Sequence, residues 1–198
     1  MNKKQLIDEL RYEGFSEKII KAFERIRRED FVLDEWKDSA YINEALPLVK
    51  GATISQPYTI AFMLDLLKLD RLKENAKILE IGSGSGYVLA LIDKICNCRI
   101  YGIEIIEELV KKSKLLLRNK KNIKIVQGNG LKHAGEFGSY DRILVSAAAD
   151  DIPENLIEHL NENGIIVSPV RNSIFQIRKN KKINIKEYPG FVFVPLIK

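Results

Sequence analysis

The segment ILEIGSGSGY, residues 78–87, places three glycines two residues apart directly after a short apolar run. The run before Gly82 is typical of a buried β-strand, and the run YVLALIDKI after Gly86 has apolar residues at helical spacing. Glycines at such a junction let the backbone turn sharply and approach a ligand closely. The segment therefore predicts a strand, a tight turn and a helix, with a ligand site at the turn.

Strand-like and helix-like runs alternate through the middle of the chain. After the glycine segment, strands are predicted for RIYGIE, IKIVQGNG, YDRILVSAAA and GIIVSPV, and helices for EELVKKSKLLL and IPENLIEHL. This alternation predicts an α/β fold with a mostly parallel central sheet and helices on both faces. The tail differs, because IFQIRKNKKINIKEY contains no helix and predicts an antiparallel hairpin. We expect FVFVPLI to form an edge strand after that hairpin.

The first fifth of the chain is predicted to be helical. Apolar residues between Leu6 and Leu10 fit a short helix that Gly14 can end, and Ser16 can cap a second helix. No clean period persists over residues 31–51, which we expect to form an ordered loop. Helical spacing resumes near Ile60.

Composition narrows the possible partners. The net charge of +5 raises the question of nucleic acid, yet the basic residues over 111–121 alternate with leucines as on a solvated helix face. No aromatic residues are interleaved with them to stack on bases. We therefore expect no stable nucleic acid partner. No apolar run approaches 18 residues and no secretory leader is recognisable, so we expect a cytoplasmic protein without a membrane partner.

Histidine and cysteine are scarce. His133 and His159 are the only histidines, which leaves little material for metal clusters or for Ser/His/Asp catalysis. Cys96 and Cys98 are the only cysteines, and their one-residue spacing suits neither a zinc site nor a thioredoxin-like pair. We expect no metal and two buried or half-buried thiols.

Two acidic residues near the glycine loop indicate which ligand it binds. Glu80 lies in the strand before the loop, where a carboxylate would repel a dinucleotide pyrophosphate but attract the ammonium group of an amino-acid cofactor. This favours S-adenosylmethionine over a nicotinamide dinucleotide. Glu104 ends the next strand, 18 residues after Gly86, where it could accept hydrogen bonds from both ribose hydroxyls.

Two further residues complete the predicted ligand site. Ile105 could lie against an adenine face, and Asn129 offers a donor and an acceptor to an adenine edge. Each feature also has a purely structural explanation. The glycines could form a tight turn, Glu104 could stabilise a helix N-terminus, and Asn129 could be a turn residue.

The segment GATISQPYTIA, residues 51–61, places small polar side chains ahead of the glycine loop. Ser55 or Gln56 before Pro57 is typical of a helix start, where a side-chain oxygen accepts an unpaired backbone N–H. The sequence lacks an obvious means of activating a nucleophile. An acceptor such as a carboxylate needs none, because it is already ionised at neutral pH.

The chain resembles the protein-L-isoaspartate O-methyltransferases almost from end to end. The matching segments are FERIRREDFV, ALPLVKGATISQPY, ILEIGSGSGY, GNG, YDRILVSAAADDIPENLIEHL, GIIVSPV and FVPL. The glycine loop is shared by many methyltransferases, whereas TISQP and FVPL are the specific parts.

The resemblance implies a Rossmann-like S-adenosylmethionine-dependent methyltransferase fold, with an N-terminal helical extension and C-terminal antiparallel strands. Within a single methyltransferase domain over 1–198, it assigns the N-terminal helical region and substrate loop to residues 1–60, the cofactor-binding core to 61–170 and the C-terminal strands to 171–198. The residues expected to bind the cofactor are Glu80, Gly82, Ser83, Gly84, Gly86, Glu104, Ile105, Asn129 and Gly130. Those expected to bind substrate are Thr53, Ile54, Ser55, Gln56 and Pro57.

The activity that the resemblance implies is methyl transfer from S-adenosylmethionine to the α-carboxyl group of L-isoaspartyl residues in damaged proteins, leaving S-adenosylhomocysteine and initiating repair. The active-site serine of the family falls on Ser55, and we expect a monomer. Three alternatives stay open: esterification of ordinary aspartate in a particular partner peptide, a basic RNA methyltransferase or RNA-binding module, and a non-catalytic protein that only binds the cofactor.

The chain departs from the family pattern at a few positions. Asn129 stands where many members have Asp, and Arg171 follows SPV where a glycine is usual. Tyr58 and Ile60 stand where some members have histidines. We expect Asn129 to lower cofactor affinity, and Arg171 could attract acidic flanks of a substrate peptide.

Overall fold

The computed structural model describes residues 1–196. The α-helices are α1 (Lys3–Tyr12), α2 (Glu17–Arg25), α3 (Pro57–Leu67), α4 (Tyr87–Ile95), α5 (Glu107–Leu116), α6 (Gly130–His133) and α7 (Glu154–Glu158). The strands are β1 (Leu46–Pro47), β2 (Thr53–Ile54), β3 (Lys77–Ile81), β4 (Arg99–Glu104), β5 (Ile123–Gln127), β6 (Tyr140–Val145), β7 (Leu160–Val170), β8 (Ser173–Lys179) and β9 (Ile183–Pro189). This α/β architecture confirms the predicted class.

Seven of these strands form one sheet in the order β5-β4-β3-β6-β7-β8-β9. The first five run parallel, with Ile81 opposite Ile103 on one side and Val145 on the other, whereas β8 and β9 run antiparallel. The carboxyl ends of β3, β4, β5 and β6 therefore meet at one edge of the sheet. The loops that follow these strands carry the predicted cofactor-binding residues.

The N-terminal helices pack on the main core. Residues Ile19, Ile20 and Phe23 on one face of α2 are buried and belong to the same apolar cluster as Ile78 of β3 and Leu89 of α4. This packing places the chain segment that follows α2 beside the glycine loop.

The predicted caps of these two helices were correct in position and differ in detail. Gly14 follows α1 with a φ of +82°, as a glycine at a helix end should. Ser16 is the N-cap residue of α2, but its side chain makes no capping hydrogen bond. Asn2 and Gln5 instead form a reciprocal capping pair at the start of α1.

Residues 31–51 form the ordered loop that was predicted, built from short 3-10 turns and the two-residue strand β1. Strands β1 and β2 pair only through Leu46 with Ile54 and Pro47 with Thr53. The predicted substrate loop is therefore held in place largely by contacts other than sheet pairing.

Two predictions were wrong. The tail segment 191–196 forms no strand, and its β-bridge joins Pro195 to Ala148, so β9 is the edge of the sheet; Ile197, part of the predicted strand, lies outside the described residues. The tail runs across the ends of the parallel strands, a course that local apolar content does not encode. The predicted thiols of Cys96 and Cys98 are joined in a disulfide bond, because the turn after α4 brings their Cα atoms to 5.5 Å.

Candidate functional site

The glycine loop turns out of β3 into α4 with a backbone that other residues rarely adopt. Gly82, Gly84 and Gly86 all have positive φ, between +53° and +86°. A Cβ atom on Gly86 would also lie 2.9 Å from the Leu117 side chain. These glycines are therefore required by local geometry, whatever the loop binds.

Glu104 at the end of β4 holds the glycine loop in place. Its carboxylate accepts hydrogen bonds from the backbone N–H groups of Gly84 at 2.7 Å and Ile106 at 2.9 Å. The side chain is 5 % exposed. One carboxylate thus links the ends of two neighbouring strands, at the position where the sequence predicted contacts with a ribose.

A cavity of about 240 Å³, here called the glycine-loop cavity, opens beside this carboxylate. It is formed by residues from the substrate loop, the strand ends and the tail, namely Lys50 to Thr53, Ile81, Gly82, Gly84, Ile103 to Ile106, Gly128, Gly130, Ser146, Ala147 and Val194 to Leu196. A Cβ atom on Gly130 would lie 2.1 Å from Cγ2 of Ile81, so only glycine fits at that wall. The apolar and backbone lining suits a flat aromatic ring.

A smaller inner cavity of about 40 Å³ continues from the glycine-loop cavity. Its lining includes Thr53, Ser55, Glu80, Ser83 and Ser146. The two cavities share Thr53 and Ser146, together with two loop glycines. An elongated ligand could therefore extend from one cavity into the other.

Glu80 contributes an unsatisfied carboxylate to the inner cavity. It is 1 % exposed, and its Oε1 accepts a hydrogen bond from the Ser146 hydroxyl at 2.8 Å, whereas Oε2 has no partner within residues 1–196. Burial raises the pKa of Glu80 to about 8; the Ser146 hydrogen bond lowers that pKa and the charge of Glu104 raises it. A buried acceptor without a donor is costly unless a ligand supplies one.

The helix-start explanation for Ser55 is not realised. Gln56 is the N-cap residue of α3, but its side chain makes no capping hydrogen bond. The side-chain oxygen of Asn43, from the preceding loop, instead accepts from the backbone N–H of Tyr58 at 3.0 Å. The Gln56 amide in turn donates to the carbonyl of Asn43 at 2.9 Å. Within the described part of the chain, the Ser55 hydroxyl makes no hydrogen bond, so it is free to bind a ligand.

An open outer cleft lies on the other side of the substrate loop. It measures about 800 Å³ and is lined by residues 43–45, by Thr53, Ser55, Gln56, Tyr58 and Thr59, and by residues 189–194. Ser55 lines both this cleft and the inner cavity, and Thr53 lines all three spaces. The Thr53 and Ser55 side chains therefore lie where a ligand in the enclosed cavities would meet an extended ligand in the cleft.

The sequence analysis missed Arg28, which lies directly behind this junction. Its side chain is fully buried, and its guanidinium donates to the carbonyls of Ala40 at 2.7 Å, Ser55 at 3.0 Å and Glu44 at 3.2 Å. Arginine adjacent to other charged residues in FERIRREDFV looks like part of a solvated surface. Only tertiary contacts reveal that it is internal.

Most of the predicted site residues line these spaces. Those lining at least one are Thr53, Ile54, Ser55, Gln56, Glu80, Gly82, Ser83, Gly84, Glu104, Ile105 and Gly130. Pro57, Gly86 and Asn129 are not among the lining residues. Ser146, Gly128 and the tail residues 194–196 also line the cavities and were not among the predicted site residues, although Gly128 lies in the GNG segment and the tail in FVPL.

Two of the departures from the family pattern, Asn129 and Arg171, have local structural roles. The side-chain oxygen of Asn129 accepts from the N–H groups of Leu131 at 3.1 Å and Lys132 at 3.2 Å, capping α6. Arg171 has a φ of +53° and donates to the Asp150 carbonyl and the Asp151 carboxylate. Attraction of acidic peptide flanks by Arg171 stays a prediction.

Several basic side chains of the predicted solvated helix face have partners in the protein. Lys112 donates to the Val32 carbonyl at 2.8 Å and Lys120 pairs with Asp93 at 2.6 Å. Within residues 1–196, no cluster of three or more potential metal ligands occurs. In the same residues, no helix has the length and apolar character needed to cross a membrane.

Comparison with known proteins agrees with this geometry. A family model described as protein-L-isoaspartate(D-aspartate) O-methyltransferase matches residues 1–198. Among curated relatives, the protein-L-isoaspartate O-methyltransferase of Dictyoglomus thermophilum is 40% identical over 98% of this chain and 90% of its own length. The protein of the same name from Methanothrix thermoacetophila is 38% identical over 100% of this chain and 95% of its own length.

A solved structure provides the same comparison in three dimensions. It is a Plasmodium falciparum protein described as a candidate protein-L-isoaspartate O-methyltransferase, in complex with S-adenosyl-L-homocysteine. It superposes with a TM-score of 0.87 at 26% identity and covers 100% of this chain and 99% of its own. The family model, the relatives and the superposition each span 98% or more of the chain, so this protein belongs to the protein-L-isoaspartate O-methyltransferase family.

Proposed function

We propose that this protein transfers the methyl group of S-adenosylmethionine to the α-carboxyl group of L-isoaspartyl residues in proteins and peptides, with Ser55 as the residue that holds the acceptor. The observation that carries the proposal is the position of Ser55, which lines both the inner cavity and the outer cleft and has a free hydroxyl. Residues 1–198 act as one methyltransferase domain in this proposal.

The residues around the enclosed cavities fit the cofactor. The unpaired Oε2 of Glu80 would accept from the ammonium group of its methionine part. Glu104 would bind the ribose, and Ile105 and the backbone at Gly128 and Gly130 would enclose the adenine. When bound, S-adenosylmethionine supplies a methyl group on a positively charged sulfur, so transfer to a carboxylate needs no proton movement and leaves neutral S-adenosylhomocysteine.

The outer cleft fits an extended peptide. It is open, it is large compared with the inner cavity, and residues 189–194 line it. An isoaspartyl residue presents its α-carboxylate on a side branch of the chain, and such a branch could reach the Ser55 hydroxyl while the peptide stays in the cleft. Catalysis would then come from positioning, because the carboxylate is already ionised.

The test is transfer of labelled methyl to a synthetic isoaspartyl peptide, with the aspartyl peptide of the same sequence as control. We expect base-labile product on the isoaspartyl peptide alone. Product on both peptides would favour esterification of ordinary aspartate. Transfer to neither peptide, with cofactor binding shown by calorimetry, would refute the proposed substrate.

Ser55→Ala tests the role of the hydroxyl. A reacting group misplaced by about 1 Å can lower a rate about 100-fold, so we expect loss of the hydroxyl that holds the carboxylate to lower kcat by about 10- to 100-fold. Ser168→Ala is the matched control, because Ser168 is buried but lines none of the three spaces. If Ser55→Ala kept full turnover and lost only thermal stability, Ser55 would have no role in holding the acceptor.

A further inference from the structure

Arg28 carries a buried positive charge that the described structure does not pair with a carboxylate. Its side chain is 0 % exposed, and within residues 1–196 its hydrogen bonds go to backbone carbonyls and not to a carboxylate. Its partners are the three backbone carbonyls described above and the ring of Tyr87, whose centroid lies 5.4 Å from the guanidinium carbon. Burial lowers the pKa of Arg28 to about 10, so the side chain is still charged at neutral pH.

A buried charge without a carboxylate partner destabilises the folded state, so it is not expected at a position that only fills space. Taking a charged group out of water costs several kcal/mol, and an apolar side chain of similar volume is often at least as stabilising. Arginine differs from any apolar substitute, and from lysine, in its planar fork of five N–H donors. Here the guanidinium donates hydrogen bonds to three backbone carbonyls on different parts of the chain.

Two of those carbonyls belong to residues that line the outer cleft. Glu44 and Ser55 line the cleft, and Ala40 lies in the segment leading to β1. Tyr87, against which the guanidinium packs, is the first residue of α4 and lines the inner cavity. One side chain therefore touches both the loop that carries Ser55 and the helix that follows the glycine loop.

The loop has few other constraints. Strands β1 and β2 contribute only two residue pairs, and Asn43 bonds to Gln56 and Tyr58 at the start of α3. The bond from Arg28 is the one made directly to the Ser55 backbone by a side chain in residues 1–196. Without it, the backbone that carries the Ser55 hydroxyl would be free to shift relative to the inner cavity.

We propose that Arg28 is a positioning residue for methyl transfer: by binding the carbonyls of Ala40, Glu44 and Ser55 against the ring of Tyr87, it fixes the Ser55 hydroxyl at the junction of the cofactor cavities and the peptide cleft. This inference rests on the proposed function of Ser55. A misplacement of about 1 Å can lower a rate about 100-fold even when binding is intact. Loss of the Arg28 fork should therefore lower kcat while leaving cofactor affinity nearly unchanged.

The experiment compares Arg28→Lys with Arg142→Lys at a temperature where both are folded. Arg142 is a suitable control because it is also buried and donates to backbone carbonyls, those of Leu67 and Asp141, but lines none of the three spaces. For Arg28→Lys we expect kcat on the isoaspartyl peptide to fall about 10- to 100-fold, with the dissociation constant of S-adenosylhomocysteine within about twofold of the wild type. Arg142→Lys should lower thermal stability and leave kcat within about twofold.

A second variant separates positioning from general destabilisation. Arg28→Ala leaves a space shaped for a guanidinium ion, so millimolar guanidinium should restore part of the lost kcat, whereas the same salt should not raise the kcat of Ser55→Ala. If Arg28→Ala does not fold, the kcat of Arg28→Lys decides the question alone.

The contrary outcomes are distinct. If the wild type is active and the kcat of Arg28→Lys is unchanged, or falls only as much as that of Arg142→Lys, Arg28 has no positioning role. The proposed function would then stay intact. A wild type that binds cofactor but methylates no isoaspartyl peptide would overturn the proposed function and the role of Arg28 with it.

Discussion

The charge state of Glu80 gives a prediction that links stability to cofactor binding. In the free protein, burial raises the pKa of this carboxyl from the ordinary 4.5 to about 8, so Glu80 is mostly protonated at pH 7. Glu80→Gln keeps the shape and the Ser146 hydrogen bond but can never ionise. The variant therefore removes the titration without opening a cavity.

The sign of the effect follows from proton binding. Between pH 4.5 and about 8 the folded protein holds this proton while the unfolded chain has lost it, so the stability of the wild type falls as pH rises through that window. Each pKa unit corresponds to about 1.4 kcal/mol, which sets a ceiling of about 5 kcal/mol above pH 8. We expect Glu80→Gln to be similar to the wild type at pH 5 and more stable by a few kcal/mol at pH 9.

We expect Glu80→Gln to weaken cofactor binding, although it raises the stability of the protein. An ammonium group brought to Oε2 favours the ionised carboxyl, so binding to the wild type at pH 7 should release a proton. A hydrogen bond between charged groups contributes about 1.5–3 kcal/mol, so Glu80→Gln should bind S-adenosylhomocysteine about 10- to 100-fold more weakly. Calorimetry in two buffers of different ionisation enthalpy measures both the affinity and the proton release.

Urea unfolding at pH 5, 7 and 9 measures the stability half of the prediction. Glu187→Gln is the matched control, since the Glu187 carboxylate also accepts a serine hydroxyl, from Ser173 at 2.6 Å, but is exposed. If the stability difference between Glu80→Gln and the wild type did not grow with pH, burial would not be controlling this carboxyl. Equal affinity and equal proton release in both proteins would refute its contact with the ammonium group.

Two further predictions concern the departures from the family pattern. Asn129→Ala should lower the free energy of unfolding by about 1 kcal/mol through loss of the α6 cap, whereas Asn129→Asp should keep the cap; if both bind S-adenosylhomocysteine like the wild type, the side chain makes no contact with the adenine. Arg171→Gly should raise the free energy of unfolding by about 1 kcal/mol, because a left-handed backbone strains any residue with a Cβ and the exposed pair with Asp151 contributes little. Urea unfolding measures both effects, and an Arg171→Gly variant less stable than the wild type would contradict the second.

Local patterns were enough to predict most of the secondary structure. The strand before Gly82 and the helix after Gly86 could be read from the sequence because period and glycine positions are properties of a few adjacent residues. The parallel sheet followed because strands separated by helices must cross over in that way. The same reasoning brought Glu80 and Glu104 to one edge of the sheet, since parallel strands end together.

What the sequence did not reveal depends on contacts between distant segments. The alternating apolar residues of FVFVPLI resemble a strand, but the segment runs past the strand ends and its residues 194–196 line the glycine-loop cavity. Arg28 resembles a surface charge because nothing adjacent to it indicates three carbonyls supplied from 12, 16 and 27 residues further along the chain. Long-range pairing of this kind leaves no local period to detect.

Two unpaired buried oxygens and one buried charge lie close to the place where the inner cavity meets the outer cleft. Glu80 Oε2 and Ser83 Oγ are two of the three buried side-chain polar atoms without a partner among residues 1–196, and both residues line the inner cavity. Arg28, a buried charge without a carboxylate, lies beside the same space. The two unpaired oxygens destabilise the folded state, because a buried polar atom without a hydrogen-bond partner loses its bonds to water and gains none in return. Their placement around one junction is what a site requires if its bonds are completed only by ligands, and it accounts for Glu80→Gln being expected to gain stability and lose binding together.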